Sequence, residues 1–410
     1  MKRVVVTGLG VISPVGQDVE TFWSSLRSGQ CGIGPITRFE AGDEYKVKLA
    51  AEVKDFDPTV YMEKSEIRKT DLFCQYAIAA AVQAMEDSGI EGKVDPQRLG
   101  TYIGSGIGGM ITFVNQCNVL AEKGPKRISP HFIPMLISNM AAGKIAIRYH
   151  AEGPSLPVVT ACSTASNAIG EAFRAIQHGF ADAVIAGGAE ATVTPLAIAG
   201  FTNCMALSTA TDPLAASIPF DKRRDGFVMG EGAGILILEE LEHAKARGAK
   251  IYGEIKGYGN TCDAYHVTAP HPEAKGAARA IRQAAAEAGF TESMALYVNA
   301  HGTSTPLNDK AETLAIRRAL GAAADKAMVS STKSMTGHML GAAGAVEAIA
   351  AVLALKDGVV PPTIGYREPD PECDLDITPN KARKAALDMA LSVSLGFGGH
   401  NACLAFTKGE

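Results

Sequence analysis

The chain has 410 residues, 47% hydrophobic and 20% charged, with 43 glycines: a globular composition rich in tight turns, which excludes a disordered chain. Its formal net charge of −5 argues against nucleic acid as a partner, because neutralising phosphates needs a basic surface. No stretch approaches the roughly 18 uninterrupted apolar residues of a membrane span, and the eight cysteines are dispersed without a C-x-x-C pair, which predicts free thiols, no structural zinc, no membrane partner and a cytoplasmic protein.

The opening M-K-R-V-V-V-T-G-L-G-V-I-S-P-V-G is basic and then apolar, like a secretory leader. Gly8, Gly10 and Pro14 break the run and no small-residue cleavage site follows, so a strand over about Arg3–Thr7 and a turn are expected instead. A helix near Val19–Ser28, an irregular segment over Gly29–Pro58 and one long helix over Lys64–Gly89 come next, the last Ala-rich and apolar at helical spacing from Gln75 to Met85. Leu99–Gly104 reads as a strand entering G-S-G-I-G-G. Gly104, Gly106 and Gly109 match G-x-G-x-x-G, but the compact βαβ unit and the acidic residue of a dinucleotide site are missing, so these glycines are expected to allow close backbone approach.

Leu156–Thr160 is apolar and β-branched and predicts a short buried strand; small and apolar residues then recur at helical spacing to Ile176. Cys162 falls at the join. A helix N-terminus presents free N–H groups and the positive end of a dipole, which favour a thiolate nucleophile, while the alternative is a core cysteine packed as a small hydrophobe.

Strands over Ala181–Glu190 and Ile235–Glu239 follow, and alternation of helix and strand to Asn299 predicts a layered α/β architecture. From Val329 the run V-S-S-T-K-S-M-T-G-H-M-L-G-A-A-G-A-V-E-A-I-A repeats the strand, turn and small-residue helix around Cys162. Two duplicated halves meeting near Lys250 are therefore expected, 1–250 carrying the cysteine and 251–410 carrying two histidines.

Those histidines, His301 in H-G-T-S-T-P and His338 in T-G-H-M-L-G, both stand at strand-to-helix transitions, where open α/β sheets assemble their sites. His150, His178, His243 and His271 have no such context. A thiolate accepts an acyl group well, and imidazole N–H groups can hydrogen-bond an enolate or a departing carboxylate. Lys333 supplies a positive charge that could hold a polar network with Asp309 and Glu312. In G-F-G-G-H-N, Gly396–Asn401, glycines let a backbone N–H point into a site, and Phe397 could swing as a gate; a plain hairpin turn is the alternative.

Taken together, T-A-C-S-T-A-S-N-A-I-G, D-K-R-R-D-G-F-V-M-G-E-G-A-G, N-A-H-G-T-S-T-P, S-S-T-K-S-M-T-G-H-M-L-G-A-A-G-A-V-E-A and G-F-G-G-H-N closely resemble the β-ketoacyl-[acyl-carrier-protein] synthases of the thiolase superfamily, over essentially the whole chain. Ile107 in G-S-G-I-G-G points to the elongating synthase II branch. The resemblance implies a five-layered αβαβα thiolase-like fold of two duplicated halves with mixed five-stranded sheets, and a homodimer. It implies a decarboxylative Claisen condensation in fatty acid elongation: Cys162 takes an acyl chain from acyl carrier protein, with the Cys162 and Phe397 amides as oxyanion hole. Malonyl-carrier protein then binds, and His301 and His338 assist decarboxylation. Lys333, Glu312 and Asp309 would support this site, and Phe397 would separate the half-reactions.

The same resemblance assigns Ile107, Thr268, Thr303, Thr305 and Gly398 to substrate binding, the two Thr-x-Thr hydroxyls to the pantetheine arm. It places carrier-protein docking on Lys64, Arg68 and Lys69 of one helix with Lys126 and Arg127 of a nearby loop. No cofactor is implied, since the carrier protein delivers the phosphopantetheine. Two departures stand out: Met205 replaces an arginine that contacts the carrier, and Val393 replaces an asparagine of a monovalent-cation site near Asn299 and Glu347, so no metal is expected. Alternatives are a ketosynthase of a dissociated polyketide or polyene pathway, with chain length set by residues such as Ile107, Ile133 and Phe201, and a non-catalytic chain-length-factor-like subunit, against which Cys162 and both histidines argue. A thiolase would offer a second cysteine where His338 stands.

Overall fold

The computed structural model describes residues 1–409. Its frame is one nine-stranded mixed sheet built from β1 (Val4–Ile12), β2 (Leu99–Gly104), β3 (Ala183–Glu190), β4 (Gly232–Glu240), β5 (Gly253–Cys262), β6 (Leu296–Asn299), β7 (Met328–Ser330), β8 (Met389–Gly396) and β9 (His400–Thr407), in the order β2-β3-β4-β1-β5-β9-β8-β6-β7. On one side β2 runs parallel to β3, β3 antiparallel to β4 and β4 antiparallel to β1. On the other, β6 runs parallel to β8, β8 antiparallel to β9 and β9 antiparallel to β5. The two halves thus share one strand order, and they join where Val4–Val6 pair antiparallel with Gly253–Ile255. The two mixed half-sheets, four strands with a bridge in the fifth place in the first and five strands in the second, run on into one another through that pairing.

The second half has its fifth strand in β7; in the first, that place holds a single bridge between Thr101 and Ser155. The strand expected over Leu156–Thr160 does not form. Leu156 and Val159 are about half exposed, so the β-branched run finds no second neighbour to pair with and passes along the rim of the sheet.

Five helices complete the layers: α1 (Leu72–Ser88), α2 (Thr164–Gln177), α3 (Lys275–Glu287), α4 (Pro306–Leu320) and α5 (Ala343–Asp357). Helix α1 covers the outer face of β1, β3 and β4, and α3 with α4 covers the outer face of the second half. Between the half-sheets lie α2 and α5, each touching strands of both, which gives the αβαβα stack. Helix α5 is buried from Ala343 to Leu355, as a helix apolar on every face must be, with Glu347 the one charged residue in that span.

Two further elements differ from the sequence expectation. The opening strand runs on to Ile12, with Gly8 and Gly10 inside it, because α1 passes so close that a Cβ on Gly10 would stand 1.9 Å from the Ala80 carbonyl oxygen. The single helix over Lys64–Gly89 is two, Lys64–Ile67 and α1, broken where Asp71 caps α1 by accepting from Phe73 N and also accepts from Thr112 N and Oγ1; such a cap is worth about 1 kcal/mol. Among the described residues no helix is long and apolar enough to cross a membrane.

Candidate active site

Cys162 sits in a one-turn helix, Ala161–Ser163, that leads into α2, and the residue before it, Ala161, has a left-handed φ of 51°. A non-glycine residue in that region is strained and persists only where its surroundings hold it. Here Thr160 N donates to Thr164 Oγ1 (2.9 Å), Thr160 Oγ1 to Asn167 Oδ1 (2.7 Å) and Ser163 Oγ to the His400 carbonyl (2.9 Å). The last bond, with the Ser166–Ser394 hydroxyl pair (2.8 Å), fastens the cysteine turn to the β8–β9 hairpin. The hairpin tip is Gly396–Gly399, and Gly398 and Gly399 turn it at φ of 86° and 78°. It thereby brings the Phe397 amide toward Cys162, where that N–H and the cysteine's own favour the anionic form of the sulfur.

At Cys162 the pull of the helix terminus toward a thiolate is outweighed by burial. Burial pushes the Cys162 thiol up to about 11; the Lys333 charge and the two amides pull it down, and the Glu190 carboxylate pushes it up. The resting sulfur is therefore a thiol close to groups that favour its anion.

His301 follows β6, and its ring meets that of His338 edge to face with centroids 5.2 Å apart. His338 is held through its backbone: its N–H donates to the Val228 carbonyl (2.7 Å) and its carbonyl accepts from Gly230 N (2.8 Å), while Phe227 stands edge-on to its ring at 5.1 Å. The segment D-G-F-V-M-G is thus the strap that seats His338. Burial first, then the positive Lys333, holds both imidazoles well below their ordinary value, with His338 adding to the effect on His301. Both are neutral. Nδ1 of each, and Nε2 of His338, is buried without a partner, so donors are free for a ligand.

Lys333 does not bond Asp309 or Glu312 as expected. It is fully buried and pairs with Glu347 of α5, whose carboxyl burial raises to about 7 despite that charge. Glu312 instead accepts from the His301 and Gly302 amides (2.6 and 2.7 Å), which fixes the backbone under His301, and its own carboxyl is raised by burial to about 7. Asp309 accepts from Phe220 N at 2.8 Å and lies 3.7 Å from Arg224, a structural bridge behind the site.

Cys162, His301 and His338 share one pocket of about 330 Å³ whose wall includes Phe201, Phe227 and Phe397 and whose mouth includes Met205 and Leu307. Thr268, Thr303 and Thr305 line it as expected, the latter two hydroxyls 2.9 Å apart. Ile107 and Gly398 do not: Ile107 is part-exposed while its N–H donates to Glu190, and Gly398 faces solvent at the hairpin tip. The G-S-G-I-G-G loop wraps the buried Glu190 carboxylate, so its glycines serve close approach, as expected. Lys64, Arg68, Lys69, Lys126 and Arg127 are all exposed; Arg68 and Lys69 lie just past the Lys64–Ile67 helix instead of within it.

Beside the Lys333–Glu347 pair, three buried oxygens lack hydrogen-bond partners: Asn299 Oδ1, Glu347 Oε2 and Ser392 Oγ. Asn299 and Ser392 face each other across β6 and β8, and Asn299 Nδ2 donates to the Glu347 carbonyl at 3.4 Å. Hard oxygen donors of this kind fit a monovalent cation, with Val393 offering no side-chain ligand. Glu190 was missed by sequence reasoning; the available signal was an acidic residue ending a strand that is otherwise apolar and glycine-rich.

A buried thiol facing two amide donors, with two neutral imidazoles across the same pocket, defines an acyl-transferring enzyme that handles an enolate without a strong base. Residues 1–244 match the family described as Beta-ketoacyl synthase, N-terminal domain, and residues 252–367 its C-terminal domain; the chain belongs to the β-ketoacyl synthase family. It is 54% identical over 409 residues to a protein of Synechocystis sp. named 3-oxoacyl-[acyl-carrier-protein] synthase 2, covering 99% of this chain and 98% of that one. It is 53% identical over 410 residues to the protein of that name from Staphylococcus aureus strain COL, covering 100% and 99%. Among solved structures, the ishigamide ketosynthase/chain length factor superposes with a TM-score of 0.93 at 38% identity, and the AntDE ketosynthase, solved with its type II polyketide acyl-carrier protein, with 0.92 at 35%; each covers 100% of both chains.

Proposed function

We propose that the protein is a 3-oxoacyl-[acyl-carrier-protein] synthase of fatty acid elongation. The observation that carries this is the shared pocket, with Cys162 on one side and two neutral, unpartnered imidazoles on the other. In the first half-reaction Cys162 sulfur attacks the acyl thioester, the carbonyl oxygen turns to the Cys162 and Phe397 amides, and pantetheine leaves with the thiol proton. In the second, the malonyl carboxylate departs as carbon dioxide and the enolate oxygen is held by N–H groups of His301 and His338. Its carbon then attacks the Cys162 thioester, forming the C–C bond and releasing the sulfur. Neutral imidazoles suit this role, because decarboxylation makes the carbanion and no base is needed.

The Thr303–Thr305 hydroxyls at the pocket wall suit the amides of a pantetheine arm, and the exposed Lys64, Arg68, Lys69, Lys126 and Arg127 suit an acidic carrier protein. A homodimer goes with the exposed apolar Leu120, Ile133, Leu156 and Val159, all within one stretch of the first half. The division near Lys250, with the nucleophile in 1–250 and the imidazoles in 251–410, and a cytoplasmic location belong to the same reading. Identity above 50% to proteins named 3-oxoacyl-[acyl-carrier-protein] synthase 2, against 35–38% to the AntDE and ishigamide ketosynthases, favours the fatty-acid reading over the polyketide one.

Mass spectrometry of the protein incubated with acyl-carrier proteins of graded chain length, then malonyl-carrier protein, tests this. Acylation at Cys162 followed by a β-ketoacyl-carrier product is expected. A Cys162 that stays unmodified, or an acyl-enzyme that never yields that product, refutes it.

A further inference from the structure

Glu190, the last residue of β3, is fully buried, and beyond the charge that raises the Cys162 thiol it has no part in the chemistry above. Its carboxylate takes four hydrogen bonds. Oε1 accepts from Ser105 Oγ (3.0 Å) and Ile107 N (3.2 Å), and Oε2 from Gly106 N (2.9 Å) and Gly341 N (3.0 Å). Gly341 lies three residues past His338, in the tight turn Leu340–Ala342 that enters α5.

That turn is strained. Leu340 has φ of 45°, unfavourable for a branched side chain, and the next amide along the chain is the one Glu190 holds. The packing has no slack either. A Cβ on Gly341 would stand 2.3 Å from Gly106 N and 2.7 Å from Glu190 Oε2, and one on Gly106 2.7 Å from the same oxygen. The matching strained turn at Ala161 has its own anchors in Asn167 and the His400 carbonyl, and none of them is Glu190.

We propose that Glu190 is a positioning residue for the decarboxylation half-reaction: by the reach of its side chain it fixes the turn after His338, and so the imidazole that meets the enolate, while the Cys162 turn is held by other groups. This rests on the condensing reading given above. It makes reach, not charge, the requirement. In Glu190→Gln the amide oxygen can keep Gly106 and Gly341, its NH2 can face the Ser105 hydroxyl, and only the Ile107 bond is lost. In Glu190→Asp the charge stays but the carboxylate withdraws by one methylene, from all four donors.

The test measures carbon dioxide release from malonyl-carrier protein and acylation of Cys162 in both variants, with thermal melting as a folding control. In Glu190→Asp, kcat for decarboxylation should fall at least tenfold more than the acylation rate, with KM for malonyl-carrier protein within about threefold. Glu190→Gln should recover most of that loss. Gly341→Ala, which pries the same contact from the other side, should reproduce the selective loss and stands in if Glu190→Asp does not fold. Equal loss of both half-reactions, no loss, or a Gln variant no better than Asp overturns the proposal alone. A wild-type protein lacking either half-reaction overturns the condensing reading and this proposal with it.

Discussion

Replacing Gly396 by alanine puts the hairpin's grip on the nucleophile to a direct test. Gly396 does not have a positive φ, so alanine meets no backbone strain there; the obstacle is space. Its Cβ would stand 2.7 Å from the Thr160 carbonyl oxygen, 3.0 Å from Ser163 Oγ and 3.2 Å from Ser163 N, about 0.7 Å short of ordinary contact at the closest point. The hairpin must retreat by about that amount, and the Phe397 amide goes with it. Complete loss of one oxyanion donor costs about 100- to 1,000-fold in rate, so a partial retreat should slow acylation of Cys162 by about 10- to 100-fold, or roughly 1.4–2.7 kcal/mol in the barrier. Single-turnover acylation by acyl-carrier protein, followed by mass spectrometry, reads this out. Decarboxylation of malonyl-carrier protein, which relies on His301 and His338, should fall less than threefold. An acylation rate within twofold of wild type, or equal losses in both steps, would refute the argument that the hairpin sets the oxyanion donor.

Lys333→Met should destabilise the protein by about 3–5 kcal/mol at pH 8, because it leaves the Glu347 charge buried and unpaired. With its folded pKa raised above the unfolded value, the Glu347 contribution is fully present below about pH 4.3 and is lost as pH rises through the folded pKa. The defect should therefore shrink at pH 6 and largely vanish in the double variant with Glu347→Gln, as read from urea midpoints; a defect independent of pH would contradict this. Because burial and Lys333 hold His301 and His338 well below 6.5, neither imidazole should titrate from pH 6.5 to 8 when its own ring resonances are followed by NMR, and any change of the decarboxylation rate in that window should belong to the buried Glu312 and Glu347 carboxyls, raised to about 7. A half-maximal point near pH 6.5 in those resonances would show that the imidazoles titrate normally.

The groups that touch the reacting atoms were legible in the sequence because each lies in a short motif of its own: Cys162, His301, His338 and the glycines around Phe397. Their supports Lys333 and Glu312 were named through the resemblance, but the bonds they make were not legible. Lys333 pairs with Glu347 from another helix, Glu312 works on the His301 backbone, and Glu190 closes a loop from the end of a strand more than 80 residues away. Each is a pairing made by the tertiary fold, and local pattern carries no record of it. Leu156–Thr160 failed as a strand for the same reason: propensity describes a residue's fit to a pleated surface, while a strand needs a neighbour, and past Leu156 N, which donates to the Thr101 carbonyl, the run pairs with no strand. The thiolate argument was incomplete because a helix terminus is visible in sequence and the depth of burial around a sulfur is not.

The two strained turns, at Ala161 and Leu340, occupy matching places in halves that share a strand order, yet one is followed by a cysteine and the other by a glycine. The same turn presents the nucleophile in one half and closes the framework in the other. The halves have consequently lost independence as units of inheritance. A chimera that joins one half of this chain to the complementary half of a relative, at the exposed turn around Gly248, must bring a sulfur, two imidazoles, a hairpin and a carboxylate that were shaped against one another. Exchange of a half should succeed only between relatives whose facing turns have changed together.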